Sequence, residues 1–475
     1  MTFGLLLRHS VESIFKFMQP NIFQSLPVPS TDEIREILVR RLDEQKQAAG
    51  IVVGVIEPTG RRVVAYGSLA NGDPRTLDGD TIFEIGSITK IFTSLLLADM
   101  VNRKEVTLDD PAAKYLPENV RMPERNGKSI TLLDLSTHSS GLPPLPGNFR
   151  PKDLSNPYAD YSVDDLYQFL SSYTLPRDPG SEFEYSNLGG GLLGHLLAYR
   201  AGTDYESSIA TRITQPLSMP DTGITLSSSM EQRMATGHTA MLAPAANWDF
   251  PTLAGAGALR SSANDMLTFL EAFLGYKESP LAPAMKAMLE VRRPLGQATI
   301  GLGLIIVSPD GREIAWHNGG TGGFRSWVGY DAKEGIGVVV LSNSTRSGVE
   351  DIGLHLLNPK LPLANPEPPK QHTEIPIDPK LLDNYTGRYQ VTPNLIFEIT
   401  RDGDRLFAQG FAQALAQGTG QPIALPKFEL FAEGEKNLFA RVADNQFTFE
   451  TGPEGRATSL ILHRAGRDMP APRLS

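Results

Sequence analysis

Apolar positions between residues 31 and 47 recur at threes and fours. Ile34, Ile37, Leu38 and Leu42 fall on one face behind a Ser30-Thr31 cap, which predicts an amphipathic helix. Two β-rich runs follow, IVVGVI from Ile51 and RRVVAYG from Arg61. The Glu57-Pro58-Thr59-Gly60 step between them reads as a hairpin turn. A long middle stretch then mixes helical periodicity with Pro/Gly loops. Strand patterns return late: ATIGLGLIIV from Ala298 turns at Pro309-Asp310-Gly311 into REIAWH, and FRSWVGY from Phe324 turns between Asp331 and Gly335 into IGVVVLSN. Strands at both ends of a helical middle predict one antiparallel sheet drawn from both ends of the segment, an α/β (α+β) arrangement.

Beyond Leu357 the pattern changes. Pro359, Pro362, Pro366, Pro368, Pro369, Pro376 and Pro379 mark 359–379 as a semi-rigid linker. From 380 to 475 alternating strands with Asp-Gly, Glu-Gly and Gly-Pro turns predict a small antiparallel β-barrel or sandwich. At the other end, residues 1–29 form an extension in which Phe3, Leu7, Val11, Ile14 and Met18 share a helical face. That stripe suits docking on protein, including a contact between copies in a homo-oligomer. Its apolar run is broken by Arg8 and His9 and lacks a small-x-small cleavage site, so the compartment stays open between cytoplasm and periplasm.

Length and composition narrow the function. A chain of 475 residues exceeds what one core usually serves. The net charge of −10 disfavours nucleic acid as a partner. No stretch reaches the ~20 apolar residues that span a bilayer. The absence of cysteine removes disulfides, thiolate nucleophiles and iron–sulfur clusters. The eight histidines never fall as HxH or HExxH, so neither a metal nor any other cofactor is expected.

Three short motifs carry chemistry. Ser87-Ile88-Thr89-Lys90 opens a strongly apolar helix, and i to i+3 spacing puts hydroxyl and amine on one face. Desolvation there lowers the lysine pKa, and a neutral amine can accept the serine proton. Gly86 permits a tight entry, and the helix start offers N–H groups to developing negative charge. Tyr185-Ser186-Asn187 precedes a glycine run; a phenol beside a lysine ammonium can lose its proton below its usual pKa of about 10. Asn187 can bond both the lysine and a substrate amide. In His317-Asn318-Gly319-Gly320, glycines at a strand edge let a substrate backbone approach, and a backbone N–H can complete an oxyanion hole. No GxSxG elbow and no phosphate loop compete. Pro143, Pro144 and Pro146 suit a stiff rim loop, with Tyr158 or Tyr161 lining the cleft.

Singly these motifs are at chance level. In this order and combination they resemble the signature elements of serine β-lactamases and penicillin-binding proteins, class C group. The segments FEIGSITK, LLDLSTHSSGLP, PGSEFEYSNLGGGLLG and HNGGTGGFRS support the resemblance, which spans 30–358. The C-terminal portion resembles the lipocalin-like barrel appended to some members. The resemblance implies an antiparallel sheet flanked by helices with an all-helical subdomain. It makes Ser87 the nucleophile, Lys90 its proton partner, Tyr185 the general base and acid, and Asn187 a substrate-amide contact. Ser87 and Gly320 N–H would form the oxyanion hole, and His317 and Gly319 would line the substrate strand. His317 stands where most β-lactamases of the group carry lysine. Histidine is mostly neutral above a pKa of about 6.5, and there the chain is similar to peptidase and esterase members. The expected activity is hydrolysis of a small acyl substrate, namely an ester, a D-residue amide or a β-lactam. The rivals are a protein that acylates without turnover, and a chain whose barrel binds a ligand beside an idle hydrolase.

Overall fold

The computed structural model describes residues 27–474 apart from 71, 369–371, 394, 413–422, 443–444 and 465–466. The predicted stripe of Phe3, Leu7, Val11, Ile14 and Met18 lies outside the described residues. Two compact units emerge, one running through His238 and from Pro244 to Asn365, the other built on Pro366–Ser475.

In the first unit the hairpin β1 (Gly50–Glu57) and β2 (Gly60–Gly67) forms at the predicted turn, with Glu57 paired to Gly60. The late strands are β3 (Arg293–Leu295), β4 (Ala298–Ile300), β5 (Ile305–Val307), β6 (Ile314–Gly320), β7 (Arg325–Asp331) and β8 (Ile336–Ser342). They join the hairpin in one antiparallel sheet of order β2-β1-β8-β7-β6-β5-β4-β3. The run ATIGLGLIIV, expected as one strand, is split into β4 and β5. Gly303 sits at φ +68°, where an extended strand cannot continue.

Helices cover both faces. α1 (Thr31–Val39) starts at a capping box in which Glu33 N–H donates to Ser30 Oγ (3.3 Å) and Ser30 N–H to Glu33 Oε2 (2.7 Å). Such a cap stabilises a helix by about 1 kcal/mol. α2 (Thr89–Asn102), α3 (Asn187–Ala201) and α4 (Ala263–Phe273) belong to the helical middle section, and α5 (Glu350–Leu357) follows the sheet. Alternation along β1 explains the layering. Val52 and Ile56 face the core that holds Phe269 and Leu270 of α4. Ile51, Val53 and Val55 face the core shared with α1 and α5. Among the described residues no helix is long and apolar enough to cross a membrane.

The second unit opens with a helix that strand periodicity did not reveal, α6 (Pro379–Tyr385), capped by Asp378 with proline in its first turn. Eight strands follow as a meander: β9 (Gly387–Thr392), β10 (Leu395–Asp402), β11 (Arg405–Ala412), β12 (Ile423–Ala432), β13 (Asn437–Ala440), β14 (Asn445–Thr451), β15 (Ala457–Arg464) and β16 (Arg467–Pro472). The last of these was not among the strands expected. A bridge between Tyr389 and Arg473, with Leu474 N–H donating to Arg388 O (2.7 Å), brings the sheet close to closure. Its interior is filled by its own side chains. Tyr389, Phe397, Phe447, Phe449 and Leu460 are buried, and Tyr385 of α6 stacks on Phe449 at 4.7 Å. An eight-stranded barrel is just wide enough to be filled in this way. These packed residues form the core of the second unit.

Candidate active site

The catalytic-looking turn is built by backbone contact. Residues 82–84 pair with 260–262 as a short ladder, and a tight turn, Gly86–Ile88, leads into α2. Gly86 takes φ +50° and a Cβ there would lie 2.5 Å from Gly320 N. Only glycine fits both demands. On the strand side, Gly319 allows β6 to press against the same turn. Its missing Cβ would stand 2.0 Å from Ile85 O and 2.3 Å from Ser326 Oγ, the pair already joined by a 2.8 Å hydrogen bond. The recorded partners of β5 on β6 stop at Trp316, so from His317 onward β6 is paired with β7 alone. This is the half-open strand edge that the glycines suggested.

Around Ser87 the three predicted motifs converge. Tyr185 Oη donates to Ser87 Oγ at 2.7 Å, and Lys90 Nζ lies 3.0 Å from the same oxygen. Lys90 Nζ also donates to Asn187 Oδ1 (2.8 Å) and Ala256 O (2.7 Å). All three side chains are buried, Ser87 at 5%, Lys90 at 3% and Tyr185 at 4% exposure. Burial holds the Lys90 amine well below its usual pKa. A neutral amine has two N–H groups and one lone pair. The two carbonyl oxygens take the N–H groups, and the lone pair faces the Ser87 hydroxyl.

The phenol departs from expectation. Burial pushes Tyr185 above its ordinary pKa, the Ser87 bond opposing only in part. A lysine ammonium would acidify it, but the same desolvation that raises the phenol also disfavours the ammonium. The phenol is therefore the resting form of Tyr185, and the Lys90 equilibrium is shifted toward the free amine.

Asn187 is fixed at the start of α3, where Ser186 Oγ accepts from Gly189 N–H (2.8 Å). Its Nδ2 donates to Tyr158 Oη at 3.2 Å. Tyr158 thus lines the site, stacked on Phe250 at 4.3 Å. Tyr161 bonds Asn148 and packs on Phe149, which in turn packs on Tyr158. The proline loop is tied to the same segment. Pro143 O accepts from Ser186 Oγ (2.6 Å) and Pro144 O from Asn187 N–H (3.0 Å), so this loop underpins the Tyr185-Ser186-Asn187 segment.

His317 is buried in mid-strand, its ring 6.4 Å from that of Tyr185. Nδ1 lies 2.5 Å from Asn318 O, which can only accept, so Nδ1 carries the proton and Nε2 a lone pair. Burial, the largest cause, with Lys90 adding to it, lowers its pKa to about 3. His317 therefore carries no charge at neutral pH. Two contributors had no assigned role in the sequence: the Ala256 carbonyl, which no side-chain pattern reveals, and His138, which lies inside the landmark LLDLSTHSSGLP.

Comparison with known proteins agrees with this geometry. The family model described as Beta-lactamase matches residues 36–358, and a domain of unknown function, DUF3471, matches 371–472. The D-alanyl-D-alanine-carboxypeptidase/endopeptidase AmpH of Escherichia coli (strain K12) is 31% identical over 312 residues, 62% of this chain and 79% of that protein. A beta-lactamase of the same organism is 27% identical over 352 residues, 66% of this chain and 89% of its own. Among solved structures, the class C beta lactamase from Rhodobacter sphaeroides superposes with a TM-score of 0.59 at 27% identity, over 69% of this chain and 97% of that one. The octameric penicillin-binding protein homologue from Pyrococcus abyssi shares the fold over 93% of this chain and 100% of its own, with a TM-score of 0.61 at 23% identity. The chain belongs to the β-lactamase family of serine hydrolases.

Proposed function

We propose that the protein hydrolyses a small acyl substrate through a covalent intermediate on Ser87. The observation that carries this reading is the convergence of Lys90 Nζ and Tyr185 Oη on Ser87 Oγ. The Ser87 proton passes to the Lys90 lone pair as Oγ attacks the carbonyl carbon. The resulting oxyanion faces the Ser87 and Gly320 N–H groups, brought together by the Gly86 approach. Tyr185 gives its proton to the leaving group and is resupplied from Lys90. Water then attacks the acyl-enzyme, its proton returning through the same pair to Ser87.

The His317 position favours an ester or an uncharged amide over a substrate that needs a cation there. A carboxylate would meet a neutral imidazole. The nearby Arg325 guanidinium already donates to Thr321 O (3.3 Å) and Phe324 O (3.1 Å). The test is paired turnover of nitrocefin, which carries a carboxylate, and a p-nitrophenyl ester, each followed by intact-protein mass. Faster ester turnover with a transient Ser87 adduct is expected. A stable one-equivalent adduct would replace hydrolysis by acylation alone, and no adduct with either substrate would overturn the assignment.

A second expectation concerns pH. The base is Lys90 with its pKa depressed, and its deprotonated fraction falls only as pH drops through that depressed value. Ester kcat/KM therefore falls as pH drops and levels off on the alkaline side at a lower pH than an ordinary lysine would allow. A profile that keeps climbing up to the ordinary lysine pKa of about 10.4 would instead mean a base that burial has not depressed.

A further inference from the structure

We propose that His138 is a positioning residue for Tyr185, clamping the backbone on both sides of the phenol and bracing its ring. This rests on Tyr185 being part of the acyl-transfer machinery.

The first observation is an outlier. The helix Leu132–Ser136 ends in a left-handed turn, and the residue in that conformation is His138 at φ +53°. Ser139 N–H donates to Asp134 O (2.9 Å) and His138 N–H to Leu135 O (3.5 Å), the pair of bonds that closes a Schellman turn. This position ordinarily goes to glycine or asparagine, because a Cβ there crowds the following carbonyl. A branched aromatic side chain in such a place points to a task for the ring.

The contacts show the task. His138 O accepts from Glu184 N–H at 2.7 Å, and His138 Nδ1 accepts from Ser186 N–H at 3.2 Å. One residue thus holds the amides immediately before and after Tyr185. Its ring lies 4.5 Å from the Tyr185 ring, tilted by 38°, and meets Phe183 edge-on at 5.8 Å. Nδ1 can accept only while it bears no proton, so the ring is the Nε2–H tautomer. Protonation would set N–H against N–H at Ser186. Burial, with Lys90 and His317 nearby, keeps the imidazole neutral and the clamp closed.

The experiment compares His138→Gly with His138→Asn in the full chain. Glycine suits the left-handed backbone but has no acceptor and no ring. Asparagine tolerates the same backbone and offers Oδ1 near the place of Nδ1. In the glycine variant, amide exchange at Ser186 should accelerate, and ester kcat should fall about 100-fold with KM within about threefold, as for a misplaced catalytic group. In the asparagine variant, Ser186 protection should return and kcat should recover to within about tenfold of the parent. Unchanged Ser186 exchange in His138→Gly, or unchanged kcat, would overturn the proposal. So would an asparagine variant with restored protection but kcat as low as the glycine variant. Ser87→Ala measured alongside keeps the two readings apart. Turnover surviving in Ser87→Ala would remove the acyl-enzyme assignment, while the exchange comparison would still decide whether His138 holds the segment.

Discussion

Ser87→Ala lowers ester turnover by at least about 10⁴-fold and abolishes the mass adduct, because Ser87 Oγ is the oxygen on which Lys90 and Tyr185 both converge. The loss is chemical, with the fold retained. Alanine keeps the Cβ, and Lys90 retains its bonds to Asn187 Oδ1 and Ala256 O. Only the two contacts at Oγ disappear, so stability should move by about 1 kcal/mol. The check is a single-turnover assay with intact-protein mass, paired with a melting curve. Activity above about 1% of the parent would mean that another group performs the attack.

Gly319→Ala should be nearly as severe although it replaces none of the proposed catalytic side chains. The added methyl would fall 2.0 Å from Ile85 O and 2.3 Å from Ser326 Oγ. Neither Ile85 O nor the bond between the two can yield without moving the Ser87 turn away from β6. That displacement separates the Ser87 and Gly320 N–H groups, and losing oxyanion alignment costs about 10²–10³-fold in kcat. Overpacking also destabilises, by about 1–3 kcal/mol. The expected signature is a fall in kcat with substrate affinity largely kept, together with a lowered melting temperature. A variant with normal kcat would show that the two N–H groups are not used together.

The sheet was legible because β-branched runs alternate with turn residues over short range, as in Val52 to Val55 before Pro58. The break at Gly303 was not, since an apolar run shows no sign of the left-handed residue inside it. The catalytic triplet was legible as chemistry, and the spacing of Ser87 and Lys90 already placed them on one helix face. What pattern reasoning lacked was the environment. An ammonium acidifying Tyr185 left out burial, which disfavours the ammonium and the phenolate alike. Likewise the prolines at 143 and 144 signalled rigidity without indicating which segment their carbonyls would hold. His138 was hidden for a simpler reason: its work depends on one backbone angle and on partners some 48 residues away.

The pairing of β1 with β8 also sets a timetable. Ile51 lies opposite Ser342, and Gly50 N–H donates to Asn343 Oδ1 across 293 residues of chain. Closing such a loop is entropically costly and slow, since the distant partner must arrive before the contact can form. Until residue 342 has been synthesised, one edge of the β1–β2 hairpin stands open and apolar, a template for pairing with another chain. During synthesis the first strands made must therefore wait for the last strand of their sheet, and the interval between them is when the nascent chain is most exposed to aggregation.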